Sequence, residues 1–151
     1  MLCVGLLRVP CLISGPVGPA DKVIEDTIST MDIRKTLMDV CGLEGDADNG
    51  TSWKGLFDGT ETRDFALSEY EVDSRRSGVD LDLRTVRSQQ YRMSVDLRTD
   101  TGELYDLVND PDEMVNLFDD PGLRPLRNLH MDMIRSRAED QIPRSPRVGW
   151  H

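Results

Sequence analysis

The amino-acid sequence predicts an α/β chain of the broader α+β kind: one strand–helix unit, then a small antiparallel sheet closed by a C-terminal helix. Three observations predict it. An apolar run from Leu6 to Ser14, broken in polarity only by Arg8, leads into a helix with readable ends. Residues 79–84 and 91–98 alternate apolar and polar side chains, and apolar residues between Leu123 and Ile134 recur at helical spacing.

Each element has its own cause. An unbroken apolar run of this length suits a strand covered on both faces, as in a parallel sheet. Gly15-Pro16-Val17-Gly18-Pro19 ends it as a loop, whose prolines lack the amide donors a phosphate cradle needs. In the helix that follows, Ser29 is placed to cap, Asp32 to complete the capping box and Gly42 to stop it. Ile33, Leu37, Val40 and Cys41 fall on one face and are the expected core contacts, with Arg34, Lys35 and Asp39 elsewhere. The acidic loop from Glu44 to Gly50 lacks the spacing of a calcium hand, and Asn49-Gly50-Thr51 reads as a turn.

The second half reads as a meander of four strands. Phe65 to Tyr70 opens it after Arg63-Asp64, and Arg75-Arg76-Ser77-Gly78 is a loop. Val79, Leu81 and Leu83 alternate with Asp80, Asp82 and Arg84. Tyr91, Met93, Val95 and Leu97 alternate with Arg92, Ser94, Asp96 and Arg98. This period predicts one buried and one wet face. After the turn at Asp100-Thr101-Gly102, Leu104, Tyr105 and Leu107 form the last strand, and Asn109-Asp110-Pro111 turns the chain. Met114, Val115 and Leu117 are expected to return it to the core. Leu123, Leu126, His130, Met133 and Ile134, with Leu129 beside them, form the stripe of the last helix, with Pro125 in its first turn. His130 reads as a packed surface-edge residue, without the further groups a ligand set or a base would need. From Asp140 the prolines and arginines predict a frayed tail.

Composition limits the partners. A net charge of −10 over 151 residues disfavours nucleic acid or an anionic membrane. Cys3, Cys11 and Cys41 are odd in number and widely spaced, so they read as buried free thiols. No apolar run reaches the roughly 20 residues of a membrane span, and the first residues lack the basic start of a signal peptide, which leaves the cytoplasm as the default location.

The stretch G-E-L-Y-D-L-V-N-D-P-D-E-M-V-N-L, from Gly102 to Leu117, resembles the signature near the C-terminus of type I sulfatases, members of the alkaline phosphatase superfamily. Gly5 to Gly15 is similar to that family's G-x-x-R-V-P segment. Ser29 to Leu43 resembles its S-x-x-D-x-x-P-T-L-L-x-x-A-G-L segment with Lys35 in place of proline, and Gly50 to Gly59 its G-x-S-x-x-x-L-x-x-G segment. The resemblance implies that residues 1–60 end the large α/β sulfatase domain and that residues 61–138 form its C-terminal antiparallel-sheet subdomain, followed by a tail at 139–151. It also implies a parent that hydrolyses sulfate esters with formylglycine and calcium. Neither is carried by this chain: no C/S-x-P-x-R pentapeptide occurs, and the family's calcium ligands and active-site Lys belong to segments ahead of Gly5. No catalytic and no metal-binding residue is therefore assigned, and the chain alone is expected to be inert.

Glu69, Tyr70, Arg75 and Arg76, at the ends of the first two sheet strands, are the candidate substrate rim, because loops at strand ends set specificity. Two other readings are open. One is an acidic binding or assembly module that docks a partner protein, or a second copy, on the edge from Leu6 to Ser14. The other is an unrelated enzyme using the carboxylates Asp110, Asp112 and Glu113.

Overall fold

The computed structural model describes residues 7–15, 18, 20–44, 50–72 and 78–137. Cys3, the acidic loop at 45–49, Arg75, Arg76 and the tail from 138 lie outside the described residues. In chain order the elements are helices α1 (Asp32–Val40) and α2 (Lys54–Asp58), strands β1 (Phe65–Val72), β2 (Leu81–Ser88), β3 (Tyr91–Asp96) and β4 (Thr101–Asp106), a 3₁₀ turn (Pro121–Leu123) and helix α3 (Arg124–Arg135). The strands form one antiparallel sheet in the order β1-β2-β3-β4, the meander that the period-two pattern predicts.

One face of the sheet holds the main core. Val86, Met93, Val95 and Leu104 meet Phe118 and Ile134, with Phe65, Leu67, Leu126 and Met133 around them. Arg127 lies over the Phe118 ring at 4.0 Å, closing the cluster with a cation–π contact. Gly102 is required here, because a Cβ would come within 2.4 Å of the Phe118 ring and 2.7 Å of the Ser94 carbonyl. A smaller cluster of Trp53, Leu56 and Phe57 with Ile24 and Ile28 lies among the residues before β1.

Several expectations need correction. Residues 8–14 form no strand, and Leu12 is 97% exposed, because a strand exists only as a ladder and no described strand lies alongside them. Helix α1 buries its polar side: Asp32 and Thr36 are inside while Ile33 and Leu37 face out. Cys11 and Cys41 are exposed, since neither segment enters a core. The predicted wet face of β3 is enclosed, with Arg92, Ser94 and Asp96 all buried. The pairing Leu83↔Asp96 and Thr85↔Ser94 also places Leu81 and Leu83 on that polar face, opposite Met93 and Val95. Finally, Met114 and Val115 are exposed, and it is Phe118, with Leu117 partly buried beside it, that returns the chain to the core.

The helix ends follow backbone geometry. Gly42 has φ of 65°, Gly42 N–H donates to the Asp39 carbonyl and Leu43 N–H to the Met38 carbonyl, a Schellman stop for α1. Ser29 donates its own N–H to Asp32 at 2.8 Å, the reverse half of the expected capping box. Pro125 sits in the first turn of α3, and Asp120 accepts from Gly122 N–H at 2.8 Å to cap the preceding 3₁₀ turn.

His130 is buried to 1% exposure, deeper than a surface-edge residue. Its Nδ1 lies 2.9 Å from the Leu126 carbonyl and its ring meets Tyr91 edge-on at 6.1 Å. Burial, opposed by the Leu126 contact, pushes its pKa below the usual 6.5, so the folded protein holds it neutral. The unfolded chain takes up that proton at a pH where the folded chain does not, so stability is full above about 6.5 and declines as pH falls toward the lowered folded value. The melting temperature is expected to drop across that window, and His130→Leu to reduce the drop, as thermal melts across pH will show.

Candidate functional site

Two buried charges organise the described residues. The first is Asp32, at the start of α1, 2% exposed. Its Oδ1 accepts from Thr51 N–H at 2.9 Å and Arg63 Nη2 at 3.2 Å; its Oδ2 accepts from Ser29 N–H, from the Trp53 indole N–H at 3.2 Å and from Arg63 Nη1. Burial alone would raise the Asp32 pKa, but Arg63, Thr51, Ser29 and Trp53 together hold it below the usual 3.8. Thr36, one turn on, donates to the Asp32 carbonyl at 2.7 Å and accepts from Trp53 N–H at 3.0 Å. Gly50 is obligatory beside them, since a Cβ would come within 2.5 Å of the Met31 carbonyl oxygen.

The second is Arg92 in β3, 1% exposed. Its Nε donates to Glu113, its Nη2 faces Glu103 at 3.7 Å and its Nη1 donates to Ser94 Oγ at 2.8 Å. The Tyr105 ring lies under the guanidinium at 4.9 Å. Burial first, then Glu103, raises the Tyr105 pKa and keeps the phenol neutral. Glu113 reaches Arg92 from a backbone position with φ of 55°, a conformation side chains adopt only when the surroundings fix it. Thus Glu103, Tyr105 and Glu113 of the sequence signature all meet at one residue outside it.

The other polar members of that stretch satisfy backbone. Asp106 accepts from Val108 and Asn109 N–H, and Asp110 from Met114 and Val115 N–H at 3.0 and 2.8 Å. Asn116 accepts from Leu104 N–H and donates to the Gly102 carbonyl, closing the outer edge of β4.

The arrangement is structural in its chemistry. Thr85 and Ser94 hydroxyls share a bond of 2.7 Å, but the neighbour of Ser94 is a guanidinium, which donates and cannot take a proton. Asp110 is spent on two amides, Asp112 is exposed and Glu113 is paired to Arg92, so the three do not form a proton-transfer pair. No group of three or more His, Cys, Asp or Glu among the described residues is placed to hold a metal. Of the candidate rim, Glu69 pairs with Arg84 at 3.2 Å and with Arg137, while Tyr70 is half-exposed on the opposite face of β1. Sequence reasoning missed Asp32, Arg63 and Arg92. The available signal for Asp32 was a carboxylate at the head of an otherwise amphipathic helix; Arg92 occupies an ordinary polar position of an alternating strand and gave none.

The family described as N-sulphoglucosamine sulphohydrolase, C-terminal, matches residues 4–139. This chain belongs to that family. As a sulphohydrolase C-terminal domain it is 28% identical over 143 residues to a choline-sulfatase of Rhizobium meliloti (strain 1021), an alignment covering 85% of the chain and 27% of the relative. A solved 2-O GAG sulfatase is 27% identical with a TM-score of 0.58, over 69% of the chain and 23% of the other. The phosphonate monoester hydrolase of Agrobacterium radiobacter is 25% identical with a TM-score of 0.60, over 70% and 23%. The domain thus spans about a quarter of each of these relatives. Its four-strand antiparallel sheet and closing helix are the architecture that the sulfatase resemblance implies.

If Arg92 is held by the signature carboxylates, Glu113→Ala leaves a buried cation short of its partner and is expected to cost about 3 kcal/mol. Asp112→Ala, on an exposed side chain one residue away, is expected to cost less than about 0.5 kcal/mol. Urea denaturation of the two variants measures the contrast.

Proposed function

We propose that this chain is the C-terminal, non-catalytic part of a sulfatase, a sulfuric ester hydrolase, and that it buttresses a catalytic portion supplied outside it. The observation that carries this reading is the inverted α1. A helix with its carboxylate inside and Ile33 and Leu37 in water, the latter 58% exposed, presents an apolar face that a separate polypeptide portion is needed to cover. Val9, Leu12, Ile13, Met31 and Leu43 are exposed in the same part of the chain. The share of its relatives that the chain spans supports the same reading, because about three quarters of their length remains to form that cover.

In this account the parent hydrolyses a sulfate ester with formylglycine and calcium, neither of which the described residues hold. Glu69, Tyr70, Arg75 and Arg76 contribute to the substrate rim, with Tyr70 reaching toward the substrate and Glu69 fixing the strand through its arginine partners. The segment at 8–14 gains strand pairing when the cover is present.

The chain alone, assayed with an aryl sulfate and calcium, is expected to give no turnover, and the chain joined to the polypeptide encoded immediately upstream is expected to give calcium-dependent turnover. Hydrolysis by the chain alone would overturn the reading. Leu37→Asp is expected to change the stability of the chain alone by no more than about 0.5 kcal/mol, and to destabilise the joined polypeptide by about 2 kcal/mol or more, as denaturant midpoints will show.

A further inference from the structure

The loop at residues 107–115 follows β4 and is fixed from within. Asp106 accepts from Val108 and Asn109 N–H, Asp110 N–H donates to the Asp106 carbonyl at 2.7 Å, and the Asp110 carboxylate takes the Met114 and Val115 N–H groups. Glu113 anchors the loop to Arg92 of β3. Its conformation is therefore set before any partner arrives, yet it turns Val108, Met114 and Val115 into water at exposures of 67, 80 and 58%. Apolar residues exposed singly are ordinary, but three within eight residues on a fixed backbone make a surface prepared for contact. Met114 brings the adaptable side chain that such contacts favour.

The surroundings state the partner's chemistry. From residue 99 to residue 123 the chain has eight carboxylates and no Lys, Arg or His. Glu103 and Glu113 face Arg92, while Asp112 is exposed on the same loop as the three apolar side chains. An apolar centre with an acidic rim fits an apolar patch ringed by lysine or arginine. A second copy carries the same net charge of −10 and brings like charge to that rim. The rest of the polypeptide does not share this limit, and about three quarters of each relative's length lies outside the domain to carry such a patch.

We propose that Val108, Met114 and Val115 dock onto the catalytic portion of the sulfatase, at an apolar patch rimmed by lysine or arginine. The inference rests on the reading of this chain as the C-terminal part of a sulfatase, and it adds a second contact to the one at α1.

Methionine oxidation by dilute hydrogen peroxide, followed peptide by peptide by mass spectrometry, tests it on the 151-residue chain and on the chain joined to the polypeptide encoded immediately upstream. Met31, exposed at the head of α1, reports whether the two portions meet at all. In the chain alone Met114 is expected to react as fast as free methionine. In the joined polypeptide Met31 and Met114 are each expected to slow by about tenfold or more, since a covered sulfur reacts only while the contact is open. Asp112→Lys, which reverses the rim, is expected to restore at least roughly half of the Met114 rate and to leave Met31 slow. Met31 slowed with Met114 unchanged overturns this proposal and leaves the sulfatase reading standing, whereas neither slowed overturns both. Met114 already slow in the chain alone, and slower as the chain is concentrated, identifies a second copy as the occupant and overturns the proposal. Full protection of Met114 in Asp112→Lys overturns the charge-matched partner.

Discussion

The ion pair between Asp32 and Arg63 connects the two halves of the described structure. Asp32 opens α1, and Arg63 stands two residues before β1, so the pair ties the helical front of the chain to the first strand of the sheet. A buried carboxylate is costly unless its oxygens are occupied, and here three further donors occupy them. Those donors come from the turn before α1 and from the segment leading into α2. One charge therefore ties together three pieces of chain, two of which also meet in the small cluster of Ile24, Ile28, Trp53, Leu56 and Phe57. That explains why α1 turns its polar side inward: the energetics of Asp32 outweigh a modest apolar face that nothing in the described residues covers.

The sheet obeys the same logic on its second face. Its first face is an ordinary core of Val, Met, Leu and Phe. Its second is a polar layer in which Arg92 is matched by two carboxylates and a hydroxyl, and stacked on a tyrosine. Such a layer gains little stability over an apolar one, but it tolerates only one register, because a slip of one residue would expose Arg92's partners and bury unmatched groups. The signature from Gly102 to Leu117 is thus a set of structural answers: glycine for room under Phe118, glutamates and tyrosine for Arg92, and aspartates and asparagine for loop amides and the β4 edge.

The meander and the closing helix were legible because their signals are local. Period-two alternation through Tyr91, Met93 and Val95, and the helical stripe through Leu126, His130 and Ile134, need no knowledge of neighbours. What failed depended on neighbours. A strand at 8–14 could not be decided from its own apolar character, since pairing is a property of two segments. The inner side of α1 was misjudged because a hydrophobic pattern does not register a carboxylate with four donors spread over residues 29–63. The turn carboxylates were grouped by their closeness in sequence, yet Asp110 serves amides and Glu113 serves Arg92. Family membership was legible from fixed motif positions; the reasons for those positions appeared only in three dimensions.

The central claim, that one buried ion pair joins the front of the chain to its sheet, is tested most directly by a double-mutant cycle on Asp32→Asn and Arg63→Gln, followed by denaturant unfolding. The account predicts strong coupling, on the order of 2–3 kcal/mol, with the double variant far more stable than the sum of the single losses. Additive losses within about 0.5 kcal/mol would contradict it.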